Sequence, residues 1–193
     1  DLLHRHPVAA EALLKKVEET CQLRKELSAV KKLARERSRA ISLRIPQLKD
    51  CKTHFNRKRG TGEESTIFIT EGQSAAGSLV SCRDVATQAI FTLKGKPLNV
   101  CEMKRDALYK NDEIYNLMQC LNIEEGIENL RYGRIILATD ADVDGLHIRN
   151  LMITFFLRFF EPLVREGRLH ALETPLFRVR DKKRAIYCYS EAE

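Results

Sequence analysis

Arg134-Ile135-Ile136-Leu137-Ala138-Thr139-Asp140-Ala141-Asp142-Val143-Asp144-Gly145 is the stretch on which the fold turns. Ile135 to Ala138 are all apolar, as in a strand buried on both faces at the centre of a parallel sheet. Then come three carboxylates at alternate positions. They repel one another, and folding alone does not ask for them. Such a cluster is neutralised by a divalent cation or by counterions. In extended chain, residues two apart point the same way, with alpha carbons ~6.5–7 Å apart. Asp140 and Asp142 therefore face one site together, and Asp144 follows at the turn into a helix, beside Gly145. An all-oxygen set of this kind suits a hard cation such as Mg²⁺, which leaves room for phosphate oxygens.

Working outward, Thr66-Ile67-Phe68-Ile69-Thr70 reads as a second buried strand, and it ends in Glu71-Gly72. A helix of small residues is expected over 74–82, a strand over 88–93, and helices over 101–109 and 112–121. A helix over 144–160 places Ile148, Met152, Phe155 and Phe159 on one face, and short strands are expected near 168–172 and 177–189. Strands alternating with helices predict an α/β architecture, a mostly parallel sheet flanked by helices. Function in open α/β sheets gathers at the carboxyl ends of strands. If the strands ending at Glu71 and Asp140 are neighbours, Glu71, Asp140, Asp142 and Asp144 share one rim.

The amino-terminal part differs. From His6-Pro7-Val8 to about Arg39 there is no glycine and no further proline. Leu13, Val17 and Cys21, continued by Leu27, Val30 and Ala34, form a narrow apolar stripe among Lys, Arg and Glu. That pattern predicts a long amphipathic connector helix, ended by Pro46. Residues 50–65 are polar and basic, with Arg57-Lys58-Arg59, and read as a linker or exposed loop. The expected division is a connector over 1–50, a basic linker over 51–65 and the α/β domain over 66–193. The chain starts with Asp1 and opens into a helix, so it reads as a piece of a longer polypeptide.

The net charge of +6 and sequence pI near 9.0 point to a polyanionic partner, nucleic acid ahead of a membrane surface. A solvated basic surface is the plainer alternative. The longest apolar patch, residues 151–160, is interrupted by Thr154 and Arg158 and is too short to span a bilayer. No signal peptide is visible. Six cysteines without a C-x-x-C pair, none near a histidine at zinc spacing, read as reduced thiols of a cytoplasmic protein.

Three motif-like strings fail on inspection. Asp140 to Gly145 begins like an EF-hand loop, but a strand precedes it and its twelfth position is Leu151 rather than Glu. Gly72-Gln73-Ser74-Ala75-Ala76 lacks the final glycine of a nucleophile elbow. Gly95-Lys96 has Ile90 and Pro97 where a P-loop needs Gly and Ser or Thr. Asp144 can equally be a helix cap. His147 fits a structural or phosphate-contacting role better than metal ligation.

Three strings together carry a resemblance. Thr70-Glu71-Gly72-Gln73-Ser74-Ala75-Ala76-Gly77-Ser78 resembles the E-G-D-S-A-G-G-S segment of bacterial type IIA topoisomerase B subunits. Leu93-Lys94-Gly95-Lys96-Pro97-Leu98-Asn99-Val100 resembles their L-[RK]-G-K-x-L-N-V segment. Thr139 to Arg149 resembles their T-D-A-D-V-D-G-x-H-I-R segment. In that family these strings belong to a Toprim domain, a Rossmann-like fold, and the resemblance covers about residues 66–179. Gln-Ser-Ala-Ala-Gly places the chain nearer the topoisomerase IV branch than the gyrase branch. Gln73 departs from the usual Asp; that Asp is not a core Toprim ligand, so metal binding should survive.

The resemblance implies Mg²⁺, replaceable by Mn²⁺ or Ca²⁺, on Glu71, Asp140 and Asp142, with Asp144 the next ligand. It implies catalytic roles for Glu71, Asp140 and Asp142 in transient cleavage and religation of double-stranded DNA. The tyrosine nucleophile would come from an A subunit in an A2B2 assembly, with ATP used only by a domain outside this chain. Lys94, Lys96, Arg149 and His147 are candidate DNA contacts, and a surface role fits the three cations equally. A Toprim nuclease or primase, or a non-catalytic module that docks DNA and the A subunit, are the alternatives.

Overall fold

The computed structural model describes residues 7–40, 45–56, 62–181 and 184–192. The chain forms two compact units, residues 1–43 and 44–193. The first holds α1 (Pro7–Ala40), the long helix that the glycine-free, charged sequence predicts. At 1.5 Å per residue it is roughly 50 Å long. Leu13 and Val17 of its stripe are exposed. The side chains of Leu27, Val30 and Ala34 lie outside the described residues.

The second unit is built on a five-stranded sheet. In chain order it comprises β1 (Leu48–Lys49), β2 (Thr66–Thr70), α2 (Gln73–Cys82), β3 (Gln88–Thr92), α3 (Arg105–Lys110), α4 (Asp112–Leu121) and β4 (Arg134–Ala138). Then follow α5 (Val143–Phe159), α6 (Glu161–Arg165) and β5 (Leu169–Ala171), with β6 (Phe177–Arg180) and β7 (Ala185–Cys188) forming a separate antiparallel hairpin. The sheet order is β1-β3-β2-β4-β5, and only β1 runs antiparallel.

The apolar runs are the central strands. Ile67, Ile69, Ala89, Ile90, Phe91, Ile135 and Leu137 are buried. Ile148, Met152, Phe155 and Phe156 of α5 and Ile114, Tyr115, Leu117 and Met118 of α4 add to the core. Removing most of one such side chain costs ~2–5 kcal/mol. Asn111 caps α4 by accepting from the Ile114 N–H at 3.0 Å, and Asn122, at φ 57°, ends it in the left-handed conformation. The helix expected over 101–109 begins later, at Arg105, because the Met103 N–H is drawn into a turn with the Val100 carbonyl.

The segment read as connector end and linker is partly built into this unit. Leu48–Lys49 is an edge strand on β3. The Lys52 and Thr53 N–H groups donate to the Val85 and Ala86 carbonyls, and the Phe55 N–H to the Arg131 carbonyl. Asp50 accepts from the Tyr132 hydroxyl at 2.7 Å, meets His54 Nε2 at 3.1 Å and pairs with Arg131. Burial alone would raise the Asp50 carboxyl, but Tyr132, His54 and Arg131 together hold it below the ordinary range. The basic residues 57–59 lie outside the described residues.

Candidate metal centre at the sheet rim

β2 and β4 are adjacent and parallel, with Thr70 opposite Ala138. The chain leaves both strands at the same edge, so Glu71 and Asp140 emerge side by side. β3 flanks β2 on the other side, with Thr92 opposite Thr70, and brings Lys94-Gly95-Lys96 to the same edge. Register in a buried parallel sheet is strongly specified, so this convergence follows from the apolar pattern of three strands.

The turn from β4 into α5 holds the aspartates. Asp142 is the N-cap of α5, and its Oδ1 accepts from the Gly145 N–H at 2.7 Å. Gly145 is buried, and a Cβ there would collide with the Asp140 carbonyl oxygen. Only glycine lets the first turn of α5 fold back this closely on the acidic loop. Asp144 lies in that first turn, where the helix dipole favours a carboxylate.

The electrostatics are those of an undercompensated cluster. Burial and then Asp142, Asp140 and Asp144 raise the Glu71 carboxyl above its usual range; an Asp140 backbone hydrogen bond pulls the other way. Glu71 Oε2 is shielded and has no hydrogen-bond partner. Lys96 Nζ lies 2.7 Å from Asp144 Oδ1 and holds that carboxyl below its usual range, with His147 adding a smaller pull. Four carboxylates at one rim and an unpartnered, shielded oxygen are the donor types a hard divalent cation takes, although no three of these carboxylates bring ligand oxygens within 4.8 Å of one another in this structure.

The other expected contacts fall differently. Lys94, Lys96 and His147 are exposed at the rim. Arg149 turns inward: its Nε donates to Thr139 Oγ1 and its Nη2 to the Leu172 carbonyl, both at 3.3 Å. It braces the end of β4 against the chain after β5.

A second group escaped the sequence reading. One ligand atom each from Asp50, Cys51 and His54 lies within 4.8 Å of the others. The signal was local, an Asp-Cys-x-x-His string, and the expectation that no cysteine sits near a histidine at ligand spacing is corrected by it. Each of its donors already has a protein partner, including Cys51 Sγ, which donates to the Thr53 carbonyl at 3.0 Å. Burial first, and then Asp50, push the Cys51 thiol up, which disfavours a thiolate ligand.

Residues 66–174 match the Toprim domain family. Over 193 residues the chain is 58% identical to the B subunit of DNA topoisomerase 4 from Borreliella burgdorferi, covering 100% of this chain and 32% of that protein. It is 36% identical over 202 residues to the B subunit of DNA gyrase from Thermus thermophilus, covering 100% of this chain and 31% of that protein. The fold matches the crystal structure of the Plasmodium falciparum topoisomerase II DNA-binding, cleavage and re-ligation domain. The TM-score is 0.66 at 28% identity, covering 79% of this chain and 22% of that one. The chain spans about a third of the length of these curated relatives.

Proposed function

The chain belongs to the Toprim domain family, and from that premise we propose that it is the Mg²⁺-binding portion of the B subunit of a type IIA DNA topoisomerase. The observation that carries this reading is the convergence of Glu71 with Asp140, Asp142 and Asp144 from a neighbouring strand, with Glu71 Oε2 shielded and unpartnered. Identity to the B subunit of a topoisomerase 4 favours that branch over gyrase. The substrate is double-stranded DNA. The partner is an A subunit that supplies the tyrosine, in an A2B2 assembly. ATP is used by a domain outside this chain, and the enzyme works in the cytoplasm. No helix among the described residues is long and apolar enough to cross a membrane.

In this mechanism Asp140 and Asp142 would hold the cation, with Asp144 the next ligand and Glu71 serving either as a further ligand or as general acid and base. When bound, Mg²⁺ supplies stabilisation of charge on the scissile phosphate and the leaving 3′ oxygen. In the second of these roles Glu71 would protonate that oxygen on cleavage and take the proton back on resealing; without the cation, burial and the neighbouring acids raise its carboxyl. Asp142 has a second duty as helix cap, which keeps its carboxylate oriented. Lys94 and Lys96 face the DNA backbone, and Lys96 holds Asp144 until a cation or phosphate competes. Arg149 positions the acidic loop.

The test uses the complete B subunit reconstituted with its A subunit. Asp142→Asn keeps a capping oxygen and removes the charge, so the fold is retained. Mg²⁺-dependent DNA cleavage by Asp142→Asn and by Glu71→Gln should fall by at least about 10²-fold. Cleavage at wild-type rates in both variants contradicts the assignment.

A further inference from the structure

The loop after β3 is fixed from outside the sheet. Lys94, Gly95 and Lys96 are exposed, between Leu93 and Pro97, which are buried. Three consecutive N–H groups at the end of β3 find three different acceptors. Thr92 donates to the Gln47 carbonyl at 3.0 Å and Leu93 to the Thr70 carbonyl at 2.9 Å, both main chain. Lys94 donates instead to a side chain, Oε1 of Glu113 in the first turn of α4. Two residues on, Lys96 Nζ meets Asp144 Oδ1 at 2.7 Å. The loop is thus tied to α4 at one end and to the acidic rim at the other. Between the ties lies Gly95, the residue with the most conformational freedom to lose. A hypothetical Cβ on Gly95 meets nothing within 4 Å, so packing does not restrain it.

Glu113 is placed for this by its own helix. The Asn111 side chain starts α4 by accepting from the Ile114 N–H at 3.0 Å, and Ile114, Tyr115, Leu117 and Met118 are buried. Asn116, three residues on and on the same face as Glu113, reaches Gln47 Oε1 with its Nδ2 at 3.4 Å. Both side chains therefore meet chain segments beside the end of β3. The helix alone does not account for the carboxylate. An acid in a first turn favours the helix dipole without any outside partner, and water can satisfy the N–H of an exposed loop. The carboxylate also lowers the positive charge of a loop proposed to face the DNA backbone, so attraction to DNA does not account for it either. What it supplies is direction, because a hydrogen bond to an ionised acceptor is stronger than one between neutral groups.

We propose that Glu113 is a positioning residue for DNA cleavage: by accepting from the Lys94 N–H it fixes the Lys94-Gly95-Lys96 loop, so that the two ammonium groups meet the DNA backbone and Lys96 reaches the acidic rim. The inference rests on the proposed cleavage function. In this role Glu113 touches neither DNA nor cation and acts only through the loop. Removing its charge alone should therefore matter little, and removing its acceptor oxygen should matter much.

The test compares Glu113→Ala, which removes the acceptor, with Glu113→Gln, which keeps an acceptor oxygen and removes the charge. Thermal melts check that both stay folded. In the ¹⁵N-labelled 193-residue chain, the Lys94 amide should exchange with solvent at least about tenfold faster in Glu113→Ala than in the wild type or Glu113→Gln. In the complete B subunit reconstituted with its A subunit, the cleavage rate at saturating DNA should fall roughly tenfold to a hundredfold in Glu113→Ala. Glu113→Gln should restore most of it. Apparent DNA affinity should stay within about threefold in both, because an acid has been removed from beside a basic loop. With Lys94→Ala and Lys96→Ala already in place, Glu113→Ala should cost less than about twofold more, since the groups it positions are gone. Unchanged Lys94 exchange or unchanged cleavage in Glu113→Ala overturns the proposal. So does an equal loss in Glu113→Gln, or the full further loss without the two lysines. None of these comparisons uses Glu71 or Asp142, so wild-type cleavage in the variants of those two residues would sink the metal assignment and leave this inference to its own result.

Discussion

Asp50 and Glu71 sit in the same compact unit, each with neighbouring titratable groups, and their environments act in opposite senses. Around Asp50 the neighbours are donors: Tyr132, His54 and Arg131 converge on its two oxygens and hold the carboxyl below its usual range. Around Glu71 the neighbours are other acids, its Oε2 has no partner, and its carboxyl is raised. The first arrangement is complete within the protein and ties the 45–56 segment to the strand end at Arg131 and Tyr132. The second is incomplete within the protein, and it is the site proposed for a cation.

That contrast can be broken by charge removal. Glu71→Gln should abolish Mg²⁺-dependent cleavage in the assembled enzyme, a loss of at least about 10²-fold, while leaving the fold intact. In EDTA its melting temperature should equal or exceed that of the wild type, because a like charge has been removed. Asp50→Ala should do the reverse. It leaves Arg131 and the Tyr132 hydroxyl without their acceptor and should cost roughly 2–3 kcal/mol in urea unfolding. Tyr132→Phe, which removes a single hydrogen bond, should cost about 1–2 kcal/mol. If Glu71→Gln destabilises as much as Asp50→Ala, the distinction between the two regions fails.

Acid sharpens the comparison with a smaller effect. The Asp50 carboxyl is depressed in the fold, so its contribution is present above the unfolded carboxylate value, near pH ~3.9. It is lost as pH falls through the lower folded value. Asp50→Asn should therefore flatten the fall in melting temperature below about pH 4. Smallest of all should be Lys96→Met. Its ion pair with Asp144 is exposed on both sides, so the melting temperature should stay within about 1 °C of wild type. Mg²⁺ affinity should rise modestly, because a competing cation is gone.

What the sequence made legible was whatever is local or periodic. Ile67, Ile69, Ile135 and Leu137 announced buried strands by their type and run length, and the Asp140–Gly145 spacing announced the acidic loop. The convergence of Glu71 with that loop was conditional on strand adjacency, which the pairing of Thr70 with Ala138 supplies. β1 is only two residues long, too short to show a period. The Asp50 contacts with Arg131 and Tyr132 join residues 81 and 82 positions apart, and no local pattern predicts which distant donor a loop carboxylate will meet. From sequence Arg149 was a candidate DNA contact or a surface cation, because nothing in its own helix shows that the Leu172 carbonyl lies within reach.

The central claim is that a divalent cation completes the Glu71 environment, and metal-linked stability of the 193-residue chain tests it most directly. Mg²⁺ that binds only the folded state should raise the wild-type melting temperature in a saturable way. In Glu71→Gln and Asp140→Asn the rise should be lost or strongly reduced, while in Asp50→Asn it should remain. An equal Mg²⁺-dependent rise in wild type and in both rim variants, or none in the wild type, would contradict the account.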